Sequence, residues 1–284
     1  MLEIDQFTYG WLTPALAYLM SVIGSLLALR CMVRARSQNG HGGWVAIGAI
    51  ALGGTGIWVM HFIAMLGFSV RDATIRYNVP ITLFSAAIAM GVVWLGLSIV
   101  VHRHAEAFAL IVGGTITGLG VGAMHYSGMY AMKTDATVRY DPWIVMLSLA
   151  IAVFAATAAL WFALHVRGIL ATIGAALIMG VAVCGMHYTG MFAMHAHVAE
   201  HMHAPSGAQA NQLLTPLIVA VGMVTMLMLL QVGITDVDEP DLSRIRGQYA
   251  SRFWPSRNTT EYQHRGFPPD DFPTETFDPR HRRR

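Results

Sequence analysis

The sequence predicts an all-α, polytopic membrane protein with seven transmembrane helices, built from three helical-hairpin repeats plus one further helix. Of its 284 residues, 55% are hydrophobic and only 12% are charged, whereas a soluble domain carries roughly 25% charged residues. None of the charged side chains falls inside the long apolar stretches between residues 9 and 235. These observations exclude a soluble globular enzyme and indicate membrane spans.

Each span is a window of about 20 apolar residues, the length that crosses a hydrocarbon core about 30 Å thick. Backbone groups cannot bond to water in the bilayer, and the alternation typical of barrel strands is absent, so the spans are predicted to be helices. The predicted spans cover residues 11–30, 44–68, 79–101, 107–132, 142–166, 168–194 and 213–235.

Residues 1–235 are therefore assigned to one membrane domain and residues 236–284 to a cytoplasmic tail. The tail is rich in Pro, Arg and Asp and lacks periodicity, so we expect it to be disordered, with a docking peptide for a partner as the alternative. Arg244, Arg246 and Arg252 follow the last span closely. The positive-inside bias then predicts an outside N-terminus and a cytoplasmic C-terminus.

Charge and cysteine content exclude other classes. The formal net charge is only +2, which does not indicate nucleic-acid binding. Cys31 and Cys184 are too few for a disulfide scaffold, and neither belongs to a CxxC pair.

One pattern recurs near the ends of the second, fourth and sixth spans. It is MHFIAM at residues 60–65, MHYSGM at 124–129 and MHYTGM at 186–191. The three histidines, His61, His125 and His187, are separated by 64 and 62 residues. Each repeat is therefore one helical hairpin.

The repeated residues form a soft, neutral ligand set. Met65, Met129 and Met191 share a helix face with the histidines, whereas Met60, Met124 and Met186 are turned about 100° away. Imidazole and thioether groups suit copper, above all Cu(I), and no Asp or Glu lies within any span to favour hydrolytic zinc chemistry. The candidate metal ligands are His61, His125, His187, Met65, Met129, Met191, Met60, Met124 and Met186.

Simpler roles remain open for these residues. The histidines could be satisfied by interhelical hydrogen bonds, and the methionines could be ordinary core or lipid-facing residues. The first copy has Phe68 where the others have Met132 and Met194, so we expect it to be the weakest ligand set.

The positions of the histidines along their spans, and the small residues near them, suggest one shared site. Small residues near the histidines would let the second, fourth and sixth helices approach closely. Each histidine lies roughly 25–29 Å from the cytoplasmic start of its span, so we expect the cluster near the outer surface and accessible from the periplasm. The loop with His195, His197, His201 and His203 could collect metal, or could be a flexible polar loop.

These residues resemble the MHYT domain of bacterial integral membrane sensors, whose Met-His-Tyr-Thr element stands intact at residues 186–189. The resemblance covers most of residues 9–235. It implies a copper site built from the motif methionines and histidines that senses oxygen, carbon monoxide or nitric oxide. The copies at residues 60–63 and 124–127 depart from the pattern, which puts a symmetric site in doubt.

The sequence thus favours a signalling sensor in the bacterial inner membrane that binds copper and detects a diatomic gas or redox state. We expect no enzymatic activity from it alone, and a separate cytoplasmic partner to read its state. The alternatives are a copper transporter or channel, which would need ligands across the whole membrane, and haem ligation by two of the histidines.

Overall fold

The structure is a computed structural model that describes residues 2–37, 41–71, 73–102, 105–198, 206–210 and 212–230. The tail predicted at residues 236–284 lies outside the described residues, as do His201 and His203. The expectations for these residues therefore stay predictions.

The described part of the chain contains seven helices that are long and apolar enough to cross a membrane, which confirms the predicted fold class. We number them in chain order. They are α1 Leu12–Ser37, α2 His41–Leu66, α3 Val79–His102, α4 Glu106–Ala131, α5 Pro142–His165, α6 Ile169–Phe192 and α7 Gln212–Leu230.

Helix α1 extends about two turns beyond its predicted end. The predicted span ends at residue 30, but Arg34 and Arg36 also lie in the helix. The Arg34 guanidinium lies 5.0 Å from the centre of the Trp44 ring. Arg36 donates to the carbonyls of Leu164 and Val166 at the end of α5. Cations are favoured at such carbonyl ends, which explains the extension.

Helix α2 is irregular and central. It contains a π-helical segment, Ile50–Val59, between the α-helical segments His41–Ala49 and Met60–Leu66. A Cβ atom on Gly53 would collide with the α3 backbone, and one on Gly24 of α1 would collide with the α2 backbone. These glycines let three helices approach closely. As a result, 89% of the most apolar part of α2 is buried.

Helices α1 to α6 form a closed ring in which each packs against the next and α6 packs against α1. Helix α7 is joined to α2 by a buried hydrogen bond of 2.7 Å between the hydroxyls of Thr55 and Thr225. Large apolar side chains such as Phe154 and Leu170 remain exposed on the outside. That surface suits contact with lipid tails.

Short antiparallel strands join the chain segments at the end where α2, α4 and α6 terminate, here called the histidine end. β1 pairs with β2, β3 with both β4 and β7, and β5 with β6. The strands are β1 Ile4–Asp5, β2 Ser69–Val70, β3 Ile75–Tyr77, β4 Met132–Thr134, β5 Ala136–Tyr140, β6 Met194–Val198 and β7 Ala208–Gln209.

Strand β6 corrects the expectation of a flexible loop for its residues. Met194 and Ala196 are buried and alternate with His195 and His197, the period-2 pattern of a half-buried strand. Arg139 of β5 lies directly opposite His195. A positive charge at that position opposes metal binding by the strand.

Asp141 determines where α5 begins. Its carboxylate accepts hydrogen bonds from the backbone N–H groups of Trp143 at 2.8 Å and Ile144 at 3.4 Å, and Pro142 occupies the first turn. Asp141→Ala should lower the free energy of unfolding by about 0.5–2 kcal/mol, because those donors lose their cap. Thermal unfolding in detergent would measure this. Asp141→Asn keeps an acceptor and is the control, so equal midpoints for the two variants would contradict this role.

Candidate metal centre

The structure brings His61, His125 and His187 into direct contact, as the shared-site prediction requires. The Nδ1 atom of His61 lies 3.0 Å from that of His187 and 3.2 Å from that of His125, and the last two are 3.3 Å apart. Three helices that are not consecutive in sequence each supply one ring. We call these residues the histidine triad.

The three rings pack edge to face around their converging nitrogens. Their centroids are 4.9–5.1 Å apart and their planes differ by 80–89°. This arrangement turns one nitrogen of every imidazole toward the same point. The histidine of the first repeat lies as close to the other two as they lie to each other. The expectation that the first repeat is the weakest ligand set, because of Phe68, stays a prediction.

The triad is fully enclosed, which corrects the expectation of an accessible site. His61, His125 and His187 are 0%, 1% and 1% exposed. The connections at the histidine end are tied together by backbone hydrogen bonds, including Leu2 N–H to the Ala196 carbonyl at 2.8 Å. Sequence periodicity places the histidines on their helices, but it does not reveal that the connecting segments pair with one another at this end.

Hydrogen bonds alone cannot satisfy the triad. A neutral imidazole has one N–H group and one acceptor nitrogen. If one of the three Nδ1 atoms carries a proton, that N–H group can donate to only one of the other two. The lone pair of the remaining Nδ1 atom then points at its neighbours without a hydrogen bond. A cation at the point of convergence satisfies all three nitrogens together, so the geometry favours one.

The spacing of the three nitrogens fits a metal ion. Nitrogens bound to one tetrahedral ion at about 2.0–2.1 Å are about 3.3 Å apart, close to the observed 3.0–3.3 Å. Among the described residues, the triad is the only group of three or more His, Cys, Asp or Glu side chains close enough to share an ion. The three Nδ1 atoms are too close together for the porphyrin of a haem to lie between two of them.

Glycines set the ring positions. A Cβ atom on Gly128 of α4 would lie 2.5 Å from Nε2 of His61, and one on Gly190 of α6 would collide with Nε2 of His125. Each glycine lies three residues after the histidine of its own repeat. It therefore accommodates the imidazole of the preceding repeat, a role that the spacing alone did not reveal.

The aromatic residue after each histidine packs against its ring. Phe62, Tyr126 and Tyr188 lie 4.7 Å, 4.8 Å and 5.0 Å, centroid to centroid, from the preceding imidazole at angles of 76–83°. This contact uses the ring and not the hydroxyl. Phenylalanine therefore serves as well as tyrosine, which explains why the first motif tolerates Phe62.

The motif hydroxyls bond away from the imidazoles. Ser127 donates to the Met124 carbonyl one turn earlier at 2.9 Å, a common bond for a serine within a helix. The hydroxyl of Tyr126 lies 2.6 Å from that of Ser148 on α5. The Tyr126 hydroxyl thus links α4 to α5, whereas the Ser127 bond stays within α4.

All six methionines of the predicted ligand set are buried. Met60, Met124 and Met65 are 1% exposed, and Met186, Met129 and Met191 are 2% exposed. Each belongs to a helix that also supplies a triad histidine. The triad itself is formed by the histidines, and the ligand roles of the methionines stay predictions.

Comparison with known families finds one match. The family described as MHYT, a bacterial signalling protein N-terminal repeat, matches residues 54–113 and 118–176. Both ranges begin seven residues before a triad histidine, His61 and His125 respectively. The third histidine, His187, follows the matched ranges. No solved structure matches the chain.

Three curated relatives come from two bacterial species. The bifunctional diguanylate cyclase/cyclic di-GMP phosphodiesterase MucR of Pseudomonas aeruginosa is 34% identical over 81% of this chain and 34% of its own length. The cyclic di-GMP phosphodiesterase NbdA of the same species is 36% identical over 67% of this chain and 25% of its length. The signaling protein YkoW of Bacillus subtilis is 26% identical over 67% of this chain and 24% of its own length. The chain therefore spans about a third of the length of the first of these relatives and about a quarter of the other two.

Proposed function

Because the chain belongs to the MHYT family of bacterial signalling repeats, we propose that it senses a diatomic gas or redox state through a copper ion held by the histidine triad. The observation that carries this proposal is the convergence of three buried Nδ1 atoms within 3.3 Å of one another. The family relationship supplies the signalling role, and the triad supplies a place for the metal.

Copper in its lower oxidation state suits this site best. Imidazole binds zinc, copper, iron and nickel, but the triad is neutral, buried and without a carboxylate in its ligand group. A divalent ion would keep its whole charge in a water-poor site, where an uncompensated charge is costly. Cu(I) brings a single charge and accepts three nitrogen ligands.

Three protein ligands leave room for an external one. Metal sites with three protein ligands typically keep a further position for a small molecule, and Cu(I) can bind carbon monoxide, oxygen or nitric oxide there. A change at the metal would act on α2, α4 and α6 together, because each supplies one histidine. Such a change biases the relative positions of the three helices.

We propose that the output reaches cyclic di-GMP signalling, since two curated relatives carry that substrate in their names. In this proposal the membrane part has no enzymatic activity of its own and acts on a cytoplasmic signalling partner or domain. The histidine end then faces outward and the tail lies in the cytoplasm, as the positive-inside bias predicts.

Carbon monoxide tests the sensing proposal directly. Full-length protein in lipid nanodiscs, loaded with Cu(I) without oxygen, should show one saturable infrared band that shifts with ¹³CO. The matched control is His165→Ala, whose histidine lies at the opposite end of α5 beside Trp161 and Glu106, and this variant should keep the band. Stoichiometric copper without a band under carbon monoxide or nitric oxide would refute gas binding at the triad.

A further inference from the structure

A cavity of about 50 Å³ lies inside the helix ring. Residues from all six helices α1 to α6 line it, and none of them is charged. The single hydroxyl in the lining belongs to Thr117, which donates to the Val92 carbonyl at 3.3 Å. With no free polar group to hold water, the cavity is expected to stay dry.

The cavity reaches the neighbourhood of the triad. Met186 lines it and directly precedes His187 in α6. Met186 is also 2% exposed, so this part of the cavity wall lies in the protein interior. A molecule in the cavity therefore contacts the sequence neighbour of a triad histidine within apolar surroundings.

The cavity wall is least buried between α5 and α6. Most lining residues are buried, but Ala155 and Ala159 of α5 and Ala182 and Val183 of α6 are half-buried. All four lie near the middle of their helices. Their neighbours Phe154 and Val181 are 76% and 62% exposed, as expected for lipid-facing side chains. An apolar molecule in the hydrocarbon core therefore meets the least buried part of the cavity wall between α5 and α6.

We infer that this cavity binds small uncharged apolar molecules that enter from the bilayer between α5 and α6. Apolar solutes favour the hydrocarbon over water, and a dry apolar cavity is a good site for them. The cavity is too small for a complete acyl chain. The identification of its natural occupant as a diatomic gas rests on the proposed function, but its capacity to bind an apolar atom does not.

Xenon is the probe for the cavity. The full-length protein in nanodiscs should give a saturable ¹²⁹Xe chemical-shift change, with or without copper. Ala156→Leu, which places a larger side chain in the lining, should abolish it. Ala150→Leu, an exposed position on the same helix, is the control and should leave it unchanged. If Ala156→Leu does not fold, Ala159→Leu in the half-buried part of the wall should weaken xenon binding instead.

A kinetic arm tests the entry path. After flash photolysis of the Cu(I) protein under carbon monoxide, Ala159→Leu should slow rebinding about tenfold while copper content and the infrared band stay the same. Equal rates in Ala159→Leu and Ala150→Leu would overturn the path between α5 and α6. Absence of saturable xenon binding in every membrane preparation would overturn the cavity as a site. Since xenon needs no metal, failure of the copper proposal is a separate result.

Discussion

Replacement of His61, His125 and His187 together by alanine is expected to remove copper from the protein. The three Nδ1 atoms lie within 3.3 Å of one another, so the variant loses every nitrogen ligand at the site. Elemental analysis after reconstitution with Cu(I) should find stoichiometric copper in the parent and only background levels in the variant.

The single variants make this prediction sharper. Each of His61→Ala, His125→Ala and His187→Ala should lower copper affinity at least about 100-fold, since even the loss of a group outside the ligand set costs about 10–100-fold. Competition with a chromophoric Cu(I) chelator measures the affinity. Because the three nitrogens are nearly equivalent, the losses should be similar, whereas the sequence alone expects the first repeat to matter least.

His195→Ala is the matched control for these variants. His195 also lies at the histidine end, but on β6 opposite Arg139 and outside the triad. It should keep the parent affinity. Copper content that is equal in the parent and the triple variant would mean that the triad is a structural cluster, and the proposed function would lose its metal.

The sequence predicted the helices because their cause is local. Apolar length alone indicates a span, and six of the seven predicted spans agree with the observed helices to within three residues at every described boundary. Residues 231–235, at the predicted end of the last span, lie outside the described residues. The predicted end of α1 was wrong because the contact that extends this helix involves residues far away in the sequence. Arg36 is held by carbonyls on α5, 128 and 130 residues away in the chain, and no local pattern encodes that contact.

The candidate site was predictable in composition but not in its enclosure. The repeat identified the three histidines, and helical periodicity grouped them with the methionines. Periodicity does not determine which ring nitrogen turns inward, nor that β5 and β6 pair near the ends of α4 and α6. Those features depend on contacts between repeats. The period-2 alternation of residues 194–198 was visible, but the histidines in it suggested a metal-collecting loop.

Contacts between repeats also explain why the motif needs a small residue three positions after histidine. The second and third repeats each supply a histidine and also receive the ring of the repeat before them, as Gly128 receives His61 and Gly190 receives His125. The corresponding residue in the first copy is Ala64, also buried. A repeat is therefore both a ligand and a support for its neighbour's ligand.

Gly190→Ala should consequently weaken copper binding without removing any ligand. Its Cβ would overlap Nε2 of His125, so the ring must move out of the triad. We expect about a 10–100-fold loss of affinity, comparable to the loss of a group that orients a ligand, and about 1–3 kcal/mol of destabilisation from overpacking. Gly185→Ala on the same helix is the control, because a Cβ there meets nothing within 4 Å and alanine favours the helix.

A double-mutant cycle shows whether the loss arises from this contact. In a His125→Ala background the ring is absent, so Gly190→Ala should no longer destabilise the protein, and its effect should fall to that of Gly185→Ala. The coupling energy should therefore be close to the full cost measured in the parent. If Gly190→Ala destabilised both backgrounds equally, the glycine would be needed for helix packing in general. The position of His125 would then not depend on Gly190.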